Sequence, residues 1–416
     1  MKTILHCDIN NFFASVEVIL NPELTNKPVI VCGDPENRNG IVLAKSQKAK
    51  ECGVKTAETL AIAMKKCPDA ILVKPSYATY ITYSKKFFNI CFQYSNLIES
   101  FGIDECWIDI THLVSKNKKE YIIAKELSRR VKNELGLTVS IGISFSKTFA
   151  KIGSDYKKPN CITEITVDNH QSLIYPLPIE TLLNVGCSMK NVLHKFNVFT
   201  IGDLANLPEE IVVKHFNKNG QDLYLKAKGI NDDTIESIFD KKNLPKSLGN
   251  GCTLSEDIFT YSDASKIILA LSQYISFRLK AKNFLANGVK LTLKLSNLKV
   301  ISKQSLGNNS FNSADSIKFI SLELLSQIYN LGGSSLGIKA ITIHMLNIQS
   351  ININQLSFLE NLKFLNNLET KVFDIKKKHG YDKLIRGTDM ENNINLKLQK
   401  IEKEKFFSFQ VFDVDF

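Results

Sequence analysis

No stretch of this 416-residue chain stays apolar for the roughly 18–20 residues that a bilayer span requires, and Asp8 falls where a secretory leader needs unbroken apolar residues. A membrane or exported protein is therefore not expected, and a cytoplasmic one is. Cysteine occurs nine times, always singly and never as C-x-x-C, which argues against a zinc site, and the odd total argues against a disulfide framework. A glycine-rich phosphate loop is missing, although helix and strand patterns alternate in places, and there is no internal repeat. Acidic residues are also in deficit: 42 Asp and Glu face 53 Lys and Arg, a formal charge of +11.

The excess is not spread evenly. Residues 1–240 carry 29 basic and 27 acidic side chains, 351–416 carry 11 and 10, but 241–350 carry 13 and 5. A concentrated basic segment suits a polyanion, most simply nucleic acid, because clustered Lys releases counterions from phosphates; a solubilising surface is the other reading. The length suits two to four domains, and the 44% hydrophobic content suffices for more than one core.

Along the chain, Lys2 to Cys7 reads as a strand running into Asp8, and Val29 to Cys32 as a second. Helical spacing marks Phe12 to Leu20, Ser46 to Glu51, Leu60 to Lys66, Tyr80 to Gln93 and Tyr121 to Glu134, with a strand at Val139 to Ile143. Ser100–Ile103 and Cys106–Ile110 read as a hairpin whose connection carries Asp104 and Glu105. Residues 176–235 look like short helices, and the polar run 241–250, with Pro245 and Gly249, like a domain boundary. Beyond it come helix Ala264–Lys282, strand Val289–Leu295, helix Ser313–Tyr329 and strand Ile338–Met345, an α+β module. The remaining tail is rich in Asn and Lys, with one helical stretch at Leu359–Lys378.

Asp8 and the Asp104–Glu105 pair place three carboxylates at strand ends. Like charges that close are tolerable only beside a hard cation, for which carboxylate and carbonyl oxygens are suitable donors. Acidic residues in turns are ordinary, so the three alone decide little, and the surrounding motifs carry the case. These are His6-Cys7-Asp8-Ile9-Asn10-Asn11-Phe12-Phe13-Ala14-Ser15-Val16-Glu17, Gly40-Ile41-Val42 with Ala49-Lys50, and Gly53-Val54. They continue with Ser100 to Ile110, Gly142-Ile143-Ser144 and Ser154-Asp155-Tyr156-Lys157-Lys158-Pro159-Asn160. In order and spacing, over about 160 residues, the chain resembles the Y-family translesion DNA polymerases of the bacterial DNA polymerase IV type.

The resemblance implies an α+β multidomain, right-hand polymerase fold. The palm would take residues 1–10 and 77–165, small fingers 11–76, a helical thumb with a helix-hairpin-helix-like element 166–240, the little finger 241–350, and a tail 351–416. It implies Asp8, Asp104 and Glu105 as catalytic carboxylates that, with the Ile9 carbonyl, hold two Mg2+ ions, and Phe13 as the ring that sterically rejects ribonucleotides. Phe12, Ser46, Gln47, Lys50, Tyr80 and Lys158 would surround the incoming dNTP, Gln47 standing where many members carry Tyr and Ser146 where Asn is common. Gly186 would open a hairpin that grips a DNA phosphate, with Cys187 in place of a usual second glycine. Lys290 and Lys294, evenly spaced on one strand, together with Lys280, Lys282 and Lys339, would lie on the duplex. Gln355, Leu356 and Phe358 resemble a sliding-clamp peptide, with Phe406 to Phe412 as a second candidate.

The implied activity is low-fidelity, template-directed addition of dNTPs to a primer end, without proofreading, by a monomer on primer-template DNA. A catalytically weak DNA-binding relative and a nucleotide cyclase are the alternatives. The three carboxylates count against the first, and the thumb-like hairpin and basic module have no use in the second.

Overall fold

The computed structural model describes residues 2–33, 40–115, 119–216, 218–230, 234–237, 244–329, 336–351 and 363–384. Strands and helices are numbered in chain order. Strand β1 (Ile4–Ile9) is buried along its whole length and lies centrally in a five-stranded sheet of order β5-β6-β1-β7-β8. Its neighbours are β5 (Ile98–Ser100), β6 (Glu105–Asp109), β7 (Val139–Ser144) and β8 (Ile162–Ile165). All pairings are antiparallel except β7 with β8. Period-two alternation divides β1 between two faces. Leu5, Cys7 and Ile9 join the main core with helices α4 (Tyr77–Phe92) and α5 (Glu120–Leu135), whereas Ile4 packs with Trp107 and Ala150 on the opposite face. His6 and Asp8 share the face of Ile4, opposite Trp107 and Glu105 of β6.

Helix α6 (Lys147–Tyr156) covers that second face. Ser146 caps it by accepting the Phe149 N–H, so serine at this position makes a competent helix start. The helix comes unusually close to β7: a Cβ on Gly142 would stand 1.8 Å from the Ala150 carbonyl oxygen and 2.5 Å from the Ser154 nitrogen. Trp107 fixes the start of α6 by donating its indole N–H to the Lys147 carbonyl at 2.9 Å.

Three strands not anticipated from the sequence belong to this half of the chain. One is β8; the others are β3 (Val42–Lys45) and β4 (Ile71–Val73), which flank β2 (Val29–Cys32) in a small sheet of order β3-β2-β4. Each is only three or four residues long, too short for alternation to register. Helices α1 (Phe12–Leu20), α2 (Gln47–Glu51) and α3 (Leu60–Lys66) follow the expected limits closely, and α4 begins three residues earlier than expected. The hairpin also differs: β5 ends at Ser100 and Glu105 opens β6, so Glu105 is a strand residue rather than a turn residue.

Short helices complete this unit: α7 (His170–Ile174), α8 (Cys187–His194), α9 (Ile201–Ala205), α10 (Glu209–His215) and α11 (Lys218–Ala227). Their core takes in Phe149 and Ile152 of α6, so that helix is wedged between the sheet and the helical cluster. A capping box between Thr200 and Asp203 starts α9.

The chain divides into two compact units at residue 240. The second contains a fully antiparallel four-stranded sheet of order β11-β10-β12-β9. Its strands are β9 (Ser247–Ile258), β10 (Phe284–Leu295), β11 (Val300–Phe311) and β12 (Ile338–Ser350). Helices α12 (Tyr261–Ala281) and α13 (Ala314–Ile328) pack on one face through Ile267, Leu271, Ile317 and Leu324. The central strands β10 and β12 contain the expected ones, but β10 starts five residues earlier, at Phe284, and β12 ends five residues later, at Ser350. Both edge strands were missed, because an edge strand pairs on one side only and here carries little apolar sequence. The expected polar connector 241–250 is corrected in the same way, since β9 starts inside it at Ser247. Helix α14 (Lys363–His379) sets Phe373 5.3 Å from Phe277, so part of the expected tail packs on α12. Among the described residues no helix is long and apolar enough to cross a membrane.

Replacing Gly142 by Ala forces α6 off β7, because the obstructing atoms are backbone rather than flexible side chain. The expected cost is about 3 kcal/mol or more, read as a lowered midpoint in chemical denaturation; an unshifted midpoint contradicts the close packing.

Candidate active site

Where β1 ends, the chain must turn at once into α1, and Asn11 does so in the left-handed region (φ 50°), which Asn tolerates better than most residues. Asn10 is pinned below it, its side chain bonded to Thr138 Oγ1 and accepting from Ser140 Oγ at 2.8 Å. The turn aims Phe12 and Phe13 at the carboxyl end of β1. A cleft of about 310 Å³ opens there, lined by Asp8, Ile9, Phe12, Phe13 and Asp104 together with Leu43, Ala44, Lys45 and Thr56.

The acidic residues converge because strand pairing puts Glu105 directly opposite Asp8, and the Ile9 N–H donates to the Asp104 carbonyl at 3.0 Å. Gly102 leaves room for them: a Cβ there would stand 3.2 Å from Asp104 Oδ1. Burial and the nearby Asp8 charge push the Asp104 carboxyl up to about 6. Burial likewise lifts Glu105 to about 7, although Lys151 works against it. Asp8 behaves oppositely: burial raises it, but Lys158 and Lys151 outweigh that and hold it below the usual carboxylate range.

Two ammonium groups thus offset the cluster. Lys151 Nζ lies 3.1 Å from Asp8 Oδ2 and also bonds Glu105, while Lys158 Nζ lies 2.7 Å from Asp8 Oδ2 and 2.6 Å from Asp155 Oδ1. Lys158 was expected on a phosphate and here lies on Asp8. Lys151 was not singled out from the sequence. The signal was there: Lys147, Lys151 and Asp155 recur every four residues along one face of α6. His6, beneath them, is held neutral by burial and by the Lys151 charge; its Nδ1 is 2.8 Å from Ser154 Oγ.

The remaining expected nucleotide residues divide. Phe12 and Phe13 line the cleft. Tyr80 is fully buried, with its ring stacked on Phe13 at 4.1 Å and its hydroxyl bonded to Glu17. Ser46, Gln47 and Lys50 are not among the cleft walls. Ser46 caps α2 and accepts the Val29 N–H at 2.9 Å, and Gln47 donates to Glu51 at 3.3 Å. Four of these wall residues, Leu43, Ala44, Lys45 and Thr56, were not foreseen; Lys45 donates to Thr56 Oγ1 at 2.8 Å, and burial and Lys50 hold its pKa below the usual lysine range.

Elsewhere, Gly186 caps α8 in an extended conformation (φ −83°), and Cys187 is the first helical residue. Neither position needs the left-handed region, so a cysteine fits there without strain. In the second unit Lys290 and Lys294 alternate with core residues Leu291 and Leu293, and so point away from the helices. The same open face carries Gly249 and Gly251, paired opposite His344 and Thr342. The five lysines do not all share that face: Lys280 and Lys282 lie at the C-terminal end of α12, in the helical layer, and Lys339 sits at a break in register between β12 and β9. Gln355, Leu356, Phe358 and the segment 406–412 lie outside the described residues.

Among the described residues no three His, Cys, Asp or Glu side chains form a ready-made metal cage. The donor set nevertheless fits a hard cation. Two of its carboxylates are raised by crowding and burial, and a third is held ionised by ammonium groups, so additional positive charge would relieve the cluster.

Residues 7–155 match the model of the impB/mucB/samB family, and residues 245–358 match the model of that family's C-terminal domain. The chain is 38% identical over 393 residues to the DNA polymerase IV of Acetivibrio thermocellus, covering 93% of this chain and 97% of that protein. With the DNA polymerase IV of Alkaliphilus oremlandii it shares 34% identity over 392 residues, covering 92% and 97%. Among solved structures, a Y-family DNA polymerase chimera of Dbh and Dpo4 superposes with a TM-score of 0.72 at 23% identity, covering 84% of this chain and 99% of the other. With both units matched and the curated relatives spanned almost end to end, the chain belongs to the impB/mucB/samB family, the Y family of DNA polymerases.

Proposed function

We propose that this protein is a template-directed DNA polymerase of the translesion class, extending a primer 3′-end with dNTPs in the cleft between Asp8–Asp104 and Lys45–Thr56. The observation that carries the reading is the pairing of Glu105 with Asp8 across β6 and β1, with Asp104 beside them on the cleft wall. The division into palm (1–10 and 77–165), fingers (11–76), thumb (166–240), little finger (241–350) and tail (351–416) is kept as part of this proposal.

Two divalent cations, Mg2+ for this all-oxygen donor set, would be held by Asp8, Asp104, Glu105 and the Ile9 carbonyl; they would lower the pKa of the primer hydroxyl and neutralise charge on the departing pyrophosphate. The residues of the chain do the positioning. Phe13 presents its ring to the sugar and leaves no space for a 2′-hydroxyl. Lys158, already beside Asp8, is placed to exchange that carboxylate for a phosphate oxygen of the incoming dNTP. Lys151 bridges Asp8 and Glu105, helping to hold Asp8 ionised and opposing the rise of Glu105. The N-terminal end of α8 offers backbone N–H groups to a duplex phosphate, and Lys290 and Lys294 offer charge to the backbone. None of these DNA contacts reads a base, which suits a polymerase that must accept damaged templates.

Changing Asp104 to Ala is expected to lower primer extension by several orders of magnitude while duplex binding and melting temperature stay close to the parent's. Extension near the parental rate removes the mechanism. Lys158→Ala is expected to raise the Michaelis constant for dNTP several-fold and slow transfer; an effect confined to DNA affinity moves Lys158 to the template groove.

A sliding clamp is the proposed tether for so open a site, through Gln355, Leu356 and Phe358, because tethering raises the local concentration of primer ends without new catalytic contacts. Replacing the three by Ala is expected to abolish clamp stimulation on long primed templates and to spare single-nucleotide insertion. Normal stimulation of that variant transfers the question to a deletion of residues 406–412.

A further inference from the structure

Glu17 carries a carboxylate that the polymerase chemistry described above does not use. It is buried (8% exposed) in the last turn of α1, where an apolar side chain would pack at lower cost. Its partner is specific: the Tyr80 hydroxyl, delivered from α4, donates to Glu17 Oε1. Phe13 and Glu17 are four residues apart and therefore stand one above the other on the same face of α1. Tyr80 spans both, its hydroxyl on Glu17 and its ring nearly parallel to Phe13, with centroids 4.1 Å apart and planes 13° from one another. Tyr77 adds an edge contact to Phe13 at 6.1 Å.

A stacked pair alone can slide, because offset stacking is broad in energy. The hydrogen bond at the far end of the phenol removes that freedom. It fixes where the Tyr80 ring lies, and the Tyr80 ring is the backstop against which Phe13 rests when something in the cleft pushes on it. Phe13 rejects a 2′-hydroxyl only if it cannot retreat.

We propose that Glu17 is a positioning residue for sugar discrimination, acting through the Tyr80 hydroxyl to hold Phe13 rigidly against the incoming nucleotide. The inference rests on Phe13 being the sugar gate, and the experiment separates the two. Single-nucleotide insertion is measured on primed template with a dNTP and with the matching rNTP, and the ratio of their kcat/KM values is compared among variants whose melting curves are recorded in parallel. Glu17→Ala and Tyr80→Phe are each expected to lower that ratio roughly tenfold, the worth of one hydrogen bond to a charged group. The double variant is expected to fall no further, since both changes cut the same link. Glu17→Gln, whose amide oxygen still accepts from the phenol, is expected to stay within about threefold of the parent. Val16→Ala, which loosens the core side of the same helix, is expected to lower the melting temperature without changing the ratio.

If Phe13→Ala discriminates as the parent does, the gate itself is misassigned. If Phe13→Ala loses discrimination while folded Glu17→Ala and Tyr80→Phe keep it, Glu17 serves stability alone and the inference is overturned. Should Glu17→Ala not fold, Tyr80→Phe against Glu17→Gln decides by the same ratio.

Discussion

Everything at the active site depends on bringing negative charge together and paying for it locally. Strand pairing of β1 with β6 sets Glu105 beside Asp8, and burial makes each charge costly. Among the described residues, α6 and the segment after it supply the compensation, Lys151 from the helix and Lys158 from the segment, on the face of β1 that carries His6 and Asp8. Lys151 and Lys158 arrive there because α6 lies against β7 with no side chain between them at Gly142. A glycine in one strand thus decides the electrostatics of its neighbour two residues beyond the contact.

The same helix explains why the site is stiff. One side of α6 meets the sheet, the other contributes Phe149 and Ile152 to the helical cluster, and its first turn is held by the Trp107 indole. Lys147 reaches across to Glu99 with both carboxylate oxygens within 2.7 Å, and Glu99 in turn accepts the Glu236 N–H at 2.8 Å. A lysine fixed from three directions loses little further entropy when it holds a carboxylate, so the ion pairs are worth more than exposed ones of the same length.

Much of this was legible in the sequence, for identifiable reasons. Helices α1 and α3 have helical periodicity and strand β2 is an unbroken apolar run, with clear stops at Asn21-Pro22, Pro68 and Gly33. The carboxylates were singled out at strand ends, but the roles proposed for them, for Phe13 and for Lys158 rest on motifs carried by a family resemblance, which no periodicity argument supplies. What stayed hidden has a common character. Lys151 lies in a helix whose start is polar, so its register was not followed. Glu17 and Tyr80 are 63 residues apart, and their bond depends on two helices packing at one place. The edge strands β9 and β11 bury too little to leave a pattern. Lys45 and Thr56 became wall residues only once β3 joined the small sheet. Ser46 was read as a ligand because its neighbourhood matched, yet its hydroxyl is spent on a helix cap.

The two lysines also set a condition on how the proposed chemistry starts. In the structure Lys158 serves Asp8 and Asp155, and a triphosphate brings acceptor oxygens that compete for the same ammonium. Releasing Lys158 from Asp8 removes one of the two charges that hold that carboxylate ionised, unless cations enter together with the nucleotide. Lys151, still on Asp8 and Glu105, limits the loss in the meantime. On the proposed reading, a triphosphate arriving without cations would leave Asp8 with Lys151 as its remaining ammonium partner, so divalent cations brought with the nucleotide would restore the balance that Lys158 gives up. Burial makes that coupling strong: with side chains only 12–23% exposed at Asp8, Lys151 and Lys158, solvent screens these charges far less than it would at the surface.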